Sequence, residues 1–531
     1  MTRTLPGARS VGAPALAAWS RHIGRQAEPD LAARLGAGTI AAAAAATARR
    51  VPDREAVRVG NRALTHRELD DQARRLASWL NAHGAAPGRR VLLASGNSLE
   101  YIVGYLAVLH AGAAVVAVNS MLTATELADI VAVTDPVAAL VAGQRREELL
   151  NLGGVDDVVA LDGAGADGLE AVLADVSPAR LLPPDPAEIA HLALTAGTTG
   201  RPKPLPLSNA NVLASARAVV WAWRWREDDS LVHALPLQHG HGISGLHTAL
   251  LTGSRLVLVP EFTPDGLCRA ASDHAATVLF GVPAIYERLL AWGEAGDRLR
   301  GLRLATTGSA ALSARTSDAL IDVLGQRPLE RYGLTETGFV LSNPYDERVA
   351  GSVGIALPGA EVGVVDRSGE RCDDGAEGEI VARGPQVFGG YLGTDRPPAL
   401  DEQGWFRTGD IGRVDPDNGY VRVVGRAKEI IITGGLNVYP LEVELALQAV
   451  PGIADVAVVG LPSPRWGEQV TAFVVPASGA VLEPGALQAS VAGVLAAYKR
   501  PKEYRVVAAL PRNHMGKVMR SALLAVGGRM I

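Results

Sequence analysis

Cysteine is almost missing from this chain. Cys268 and Cys372 are the only two among 531 residues, which excludes a disulfide framework and a cysteine metal cluster and fits a reduced, cytoplasmic protein. Positive charge is not in excess: 51 Lys and Arg against 56 Asp and Glu leave a net charge of −5. A chain without a basic surplus has little with which to neutralise a phosphate backbone, so nucleic acid is not expected as a partner. No apolar run approaches the roughly 18 residues of a membrane-spanning helix. There is no repeat with a period of roughly 20–50 residues. There is no G-x-x-x-x-G-K-[ST] loop, and no G-x-G-x-x-G between a strand and a helix with an acid about 20 residues on. A Rossmann dehydrogenase is thereby rejected. Residues 1–27 carry Arg3, Arg9, Arg21 and Arg25 and no acid before Glu28, yet no apolar segment with a cleavage signal follows. They do not read as a secretory signal, and residues 1–30 are expected to form a poorly ordered extension.

What is present points to a large globular enzyme. Hydrophobic residues make up 48% and charged residues 20%, enough for a sizeable core. From residue 54 helix and strand alternate. Thr65 and Glu68 have capping-box spacing, with Leu69, Ala73, Leu76 and Leu80 behind them at helical intervals. Residues 91–94 and 114–118 read as buried strands around a helix over 99–110, and 256–259, 277–282 and 302–306 as further strands. Continuous apolar strands between helices imply parallel sheets covered on both faces. After a Gly-rich, charged stretch at 415–419, Pro440 opens a helix, and 456–459, 472–475 and 504–508 read as strands. The expected class is α/β: an extension over 1–30, a large domain of several subdomains over 31–426, and a small mobile domain over 427–531.

Four segments carry chemistry. The first is Leu194 to Lys203, in which Gly197 and Gly200 free the backbone, Thr195, Thr198 and Thr199 supply hydroxyls and Lys203 a charge. Donors, little bulk and one cation suit an oligophosphate. The second is Leu329 to Thr337, where Glu336 suits Mg²⁺, Thr335 a phosphate and Tyr332 a base; the alternative is a helix start capped by Thr335. The third is Trp405 to Asp410, where Asp410 suits a ribose diol as a double acceptor. The fourth is Pro511 to Lys517. His239 and His241 stand at i, i+2, but no third ligand near them supports zinc.

In this order and spacing the four segments resemble the adenylate-forming superfamily of acyl-CoA synthetases, aryl-CoA ligases, luciferases and peptide-synthetase adenylation domains. The resemblance runs from about residue 35 to about 520. Gly378-Glu379-Ile380, Gly389-Gly390-Tyr391, Gly425-Arg426 and the run Gly434 to Pro440 add to it. Within it, residues 342–346 and 239–242 look most like the malonyl-CoA-synthetase and fatty-acid-CoA-ligase branch. The resemblance implies that a carboxylate attacks the α-phosphorus of ATP, giving acyl-AMP and pyrophosphate. The small domain then rotates and a thiol attacks the acyl carbonyl. ATP, Mg²⁺ and coenzyme A are the implied cofactors.

By that resemblance Lys517 is the catalytic lysine, Glu336 with Thr198 meets the metal, and Thr335 holds the α-phosphate. Asp410 and Arg426 hold the ribose. Tyr332, Gly333 and Gly308, Ser309 and Ala310 surround the adenine, with Glu330 and Arg331 in the same nucleotide segment. His239 borders the acyl pocket and moves between half-reactions, while His241 has a structural hydrogen-bonding role. Lys428 is the hinge, and Gly434, Gly435 and Leu436 line the thiol's route. With no carrier domain after Ile531, the expected thiol is CoA or a separate carrier protein, and the chain a monomer or homodimer.

Gly240, Gly281 and Gly338 stand where the family walls the acid, with Val282 and Gly333 beside them. Their missing side chains predict a roomy, apolar pocket and a bulky or long hydrophobic acid. A malonate-like acid is the alternative, with Arg288 pairing a second carboxylate. Ala196, Pro204 and Asn209 depart from the family's phosphate segment, where Ser, Gly and often His stand. One outcome is selective damage, in which acyl-adenylate from a partner enzyme is converted to thioester while ATP is gripped poorly. The other is that the loop tolerates the changes. A non-catalytic nucleotide or acyl-CoA binder is disfavoured by the retained Lys517, Glu336 and Asp410.

Overall fold

The computed structural model describes residue 19 and residues 35–163, 165–178, 185–196, 202–392, 399–512, 518–523 and 528–530, with backbone alone at 195, 196 and 202. The chain forms two compact units. The first is drawn from Met1–Leu312, Asp318–Gly363 and Ala382–Phe406, the second from Ser313–Ser317, Val364–Val381 and Arg407–Ile531.

The first unit contains two large sheets. One has nine strands in the order Ile355–Ala356, Gly338–Ser342, Leu329–Leu334, Leu304–Thr307, Val278–Phe280, Ser230–His233, Arg255–Leu258, Glu55–Val59 and Arg62–Thr65. From Leu329–Leu334 to Glu55–Val59 the neighbours are parallel, and both borders are antiparallel. The other has six strands in the order Val158–Ala160, Ala138–Val141, Arg90–Ala94, Ala114–Ala117, Ile189–Ala196 and Pro202–Ser208, antiparallel only at the last pair. Apolar runs such as Val91–Ala94 and Ala138–Val141 are buried throughout, as strands covered on both faces must be. The helix Leu99–His110 is buried at every position.

Local sequence dictates several of these elements. The Thr65 hydroxyl accepts from the Glu68 N–H at 3.2 Å and the Glu68 carboxylate accepts from the Thr65 N–H at 2.8 Å, so both capping-box bonds start the helix His66–Ala82. One residue of the expected loose extension belongs to the core instead. Trp19 is fully buried, and its indole N–H donates to the Ala356 carbonyl at 2.7 Å. Residues 335–337 form no helix start. They turn a hairpin between Leu329–Leu334 and Gly338–Ser342.

The second unit holds most of a four-stranded sheet ordered Glu361–Val365, Gly378–Arg383, Phe406–Val414 and Val421–Arg426. It also holds a six-stranded sheet built on Gly467–Pro476, flanked by Ile431–Thr433, Ile453–Ser463 and Glu503–Val506. Pro440 occupies the first turn of the helix Pro440–Gln448. The division of the units falls at Phe406/Arg407, ahead of the 426/427 boundary read from sequence. Phe406–Val414 pairs in antiparallel register with Val421–Arg426, so the two strands travel together. No helix among the described residues is long and apolar enough to cross a membrane.

Candidate active site

In the first unit three segments converge. The hairpin tip exposes Thr335, leaves Glu336 half-buried and buries Thr337, whose hydroxyl accepts from the Leu334 N–H at 2.9 Å. The Glu336 carboxylate accepts from the Tyr391 hydroxyl at 3.0 Å, and the Phe388 N–H donates to the Glu336 carbonyl at 2.8 Å. Tyr391 rests edge-on against Phe388, ring centroids 5.0 Å apart. Glu336 is thus aimed by a side chain 55 residues away that sequence reasoning valued only as part of a Gly-Gly-Tyr match.

The second segment is Gly308–Ala310. Ser309 has φ +69°, a left-handed conformation that an unbranched non-glycine residue adopts only when its surroundings impose it. Gly308 lies close against Arg331: a Cβ there would lie 2.7 Å from the guanidinium carbon, which would have to shift. The third segment is the start of the helix Gly240–Thr252. His239 stands at its N-cap, half-buried, without capping through its ring. The His241 Nδ1 lies 3.3 Å from the Ser309 hydroxyl, and its ring packs between Phe280 and Phe339 at 5.8 and 6.1 Å. Burial first, then the charge on Arg331 and His233, holds His241 well below the usual imidazole pKa, so it is neutral.

Arg331 is 3% exposed, with its guanidinium carbon 4.1 Å from the centre of the Phe339 ring. Burial pulls its pKa down to about 9. Glu330, one residue earlier, is also buried and accepts from the Gly351 N–H at 2.8 Å. Tyr332 is half-buried and pairs with Leu341 across the hairpin, and Gly333 lies against the Gly338 carbonyl.

The glycines expected to widen the acyl pocket divide. A Cβ at Gly240 would meet open space. At Gly281 it would strike the Tyr286 ring at 2.6 Å, and at Gly338, with φ +56°, the Ser215 hydroxyl at 2.8 Å. Protein atoms fill those two volumes. Val282 is the N-cap of the helix Pro283–Trp292. Arg288 on that helix is exposed and lies over the Phe262 ring at 4.6 Å.

Of the phosphate segment, Gly197, Thr198, Thr199 and Gly200 lie outside the described residues, as does Lys517. The arms on either side are antiparallel, with Thr195 opposite Lys203 and Leu194 opposite Pro204. Behind them lies a group that sequence reasoning missed. The Tyr105 hydroxyl sits 2.5 Å from the Nε2 atoms of both His191 and His247. His191 is on the strand leading into the phosphate segment and His247 on the helix that His239 begins. Separations of 86 and 142 residues hide this cluster from any motif search.

In the second unit Asp410 faces Arg426 directly across two strands, 4% exposed, with Arg426 Nε 2.9 Å from its carboxylate. Lys428 lies in the short turn Ala427–Glu429. Gly434 and Gly435 turn the hairpin before Leu436 at φ +57° and +79°, and the Gly434 N–H donates to the Trp466 carbonyl at 2.7 Å. Arg520, three residues after Lys517, pairs with Glu429 at 3.0 Å and with Glu444 at 2.7 Å.

The donor set fits Mg²⁺ in kind. Among the described residues no group of three or more His, Cys, Asp and Glu side chains gathers to cage a metal. One half-buried carboxylate, Glu336, is what a Mg²⁺ carried mainly by phosphate oxygens requires.

Comparison with known proteins gives the chain's family. The profile of the AMP-binding enzymes matches residues 44–392, and that of the AMP-binding enzyme C-terminal domain residues 442–517. The chain is 34% identical over 519 residues to a 3-[(3aS,4S,7aS)-7a-methyl-1,5-dioxo-octahydro-1H-inden-4-yl]propanoyl:CoA ligase of Mycobacterium tuberculosis, covering 92% of this chain and 99% of that one. It is 35% identical over 488 residues to a feruloyl-CoA synthase of Amycolatopsis sp, covering 89% and 96%. Among solved structures, ATP-bound MatB from Rhodopseudomonas palustris superposes with a TM-score of 0.85 at 35% identity, covering 91% and 98%.

Proposed function

Because the chain belongs to the family of AMP-binding enzymes, we propose that it is an AMP-forming acid–thiol ligase: it activates a carboxylic acid with ATP and passes the acyl group to coenzyme A. The observation that carries this reading is the convergence of the hairpin tip, the Gly308–Ala310 turn and the His239 helix start, with Glu336 aimed by Tyr391.

The chemistry follows from charge. A carboxylate must approach a polyphosphate, so the first step needs cations at the phosphates and donors at the developing charge. Mg²⁺, met by Glu336 and Thr198, would offset the phosphates when bound. Lys517 brings an ammonium and Thr335 a hydroxyl to the α-phosphate as pyrophosphate leaves. Asp410, with Arg426 holding one of its oxygens, accepts from the ribose hydroxyls. Tyr332 and Ser309 border the adenine. In the second step the thiol attacks the acyl carbonyl and AMP departs. Gly434 and Gly435 offer bare backbone along the thiol's route, and Lys428 is the pivot between steps. Phe280 and Phe339 give the acid's body apolar walls.

Acid-dependent pyrophosphate exchange into ATP, alongside CoA-thioester formation, tests the proposal. Lys517→Ala should cut exchange on the order of 10²–10³-fold while thioester formation from synthetic acyl-AMP continues. No exchange with any acid in a broad panel, or full exchange by Lys517→Ala, would refute it.

A further inference from the structure

We propose that Asn211 is a positioning residue of the nucleotide site: its side-chain amide ties the outgoing arm of the phosphate segment to the backbone that aims Glu336, and so sets where the Glu336 carboxylate stands. This rests on the ligase reading above, with Glu336 as the carboxylate that meets Mg²⁺.

A carboxamide has two donor hydrogens and an oxygen with two lone pairs. Asn211 uses all four. Its oxygen accepts from the Ser208 N–H at 3.0 Å and from the Ser208 hydroxyl at 2.8 Å. Ser208 ends the strand Pro202–Ser208, so these bonds close a capping box between that arm and the helix Asn209–Ala222. Its nitrogen donates to the carbonyls of Pro385 and Val387, both at 2.8 Å, 174 and 176 residues further on.

A cap needs only the oxygen, so the two donor bonds serve another end. Residues 384–391 lie in no helix or strand, and their backbone is held by the partners it finds. Asn211 takes two of its carbonyls. The next residue, Phe388, donates its N–H to the Glu336 carbonyl at 2.8 Å, and Tyr391 donates its hydroxyl to the Glu336 carboxylate at 3.0 Å. Phe388 is fully buried, with Tyr391 and Phe406 edge-on at 5.0 and 5.3 Å, so a shift at Val387 passes on to Tyr391. One turn along the same helix face, the Ser215 hydroxyl accepts from the Phe339 N–H at 3.1 Å, just behind the hairpin tip. The helix thus holds both the hairpin that carries Glu336 and the segment that aims it. With every hydrogen-bonding position spent on protein, Asn211 acts only through those residues.

The test turns on Asn211→Asp in the full-length enzyme. The aspartate keeps an oxygen for the Ser208 cap, loses both donors and repels the two carbonyls. Acid-dependent pyrophosphate exchange should fall on the order of 10²-fold, the cost of a misplacement of about 1 Å. Thioester formation from synthetic acyl-AMP, which releases no pyrophosphate, should persist. Melting gives a readout independent of turnover. ATP with Mg²⁺ should raise the wild-type midpoint more than ATP with EDTA, and Asn211→Asp should lose that difference. In a Glu336→Gln background, where the carboxylate is already gone, Asn211→Asp should cost nothing further in either measurement. Exchange at the wild-type rate by Asn211→Asp, or an undiminished Mg²⁺-dependent shift, would reduce Asn211 to a cap and overturn the proposal. A wild type without that shift would overturn it too. So would an equal loss in both half-reactions, or a full further loss in the Glu336→Gln background, since either means general damage. If Asn211→Asp does not melt cooperatively, Asn211→Ala is judged in the same two backgrounds. A wild type that exchanges with no acid, yet shows a Mg²⁺-dependent shift that Asn211→Asp abolishes, would sink the ligase reading and leave this one standing.

Discussion

Tyr105 has one hydroxyl proton and two imidazole neighbours. It can donate to only one Nε2 and must accept from the other, so His191 and His247 carry their protons on different nitrogens. Burial holds His191 down to about 4 and His247 well below its usual range, which keeps both neutral. The hydroxyl therefore ties the strand of the phosphate segment to the helix of His239 without any charge. Tyr105→Phe should leave two buried nitrogens unsatisfied and cost about 2–4 kcal/mol of stability, measured by urea unfolding. A loss below about 0.5 kcal/mol would show that the network does not hold the two elements. Sequence reasoning at this scale singles out residues that lie in motifs, such as Glu336, Asp410 and Arg426. It misses Tyr105 and the role of Tyr391, because their meaning lies in partners that only tertiary packing decides.

At the scale of elements, the strand Pro202–Ser208 explains how an unusual phosphate segment is accommodated. Pro202, Pro204 and Pro206 fall opposite Ala196, Leu194 and Leu192. Positions two apart in an antiparallel pair share one hydrogen-bonding class. Prolines have no N–H, so all three occupy the positions that do not bond to Ile189–Ala196, and the ladder survives. Pro204→Gly should therefore leave pyrophosphate exchange and thioester formation within about threefold of the wild type and lower stability by about 0.4–1 kcal/mol through a freer unfolded chain. A tenfold rise in exchange would instead show that the proline hampers the grip on ATP. The inner parallel strands were legible as apolar runs, as at Val91–Ala94. The hairpin Leu329–Ser342 was not, because it buries Glu330 and Arg331 and so breaks the pattern by which a buried strand is recognised.

For the whole molecule, pH is the clearest handle. Burial lowers the pKa of His66, His191 and His233 to about 4. The unfolded chain takes up these protons near pH 6.5, before the folded one does. Stability should thus be full above about pH 6.5 and fall towards pH 4, each histidine withdrawing about 1–3 kcal/mol. Chemical unfolding across that range would check the slope, and a flat profile would contradict it. The two-unit α/β organisation was readable from alternating patterns, whereas the place where the units divide depended on the pairing of Phe406–Val414 with Val421–Arg426. The proline-studded strand also bears on how copies of the molecule meet. It is the last strand of its sheet, and at three alternate positions it offers the outside no donor. A visiting strand would meet carbonyls there but no donors at those three positions, so only part of a ladder could form along this border. The prolines thus make this border a poor template for further strands, which guards it against aggregation.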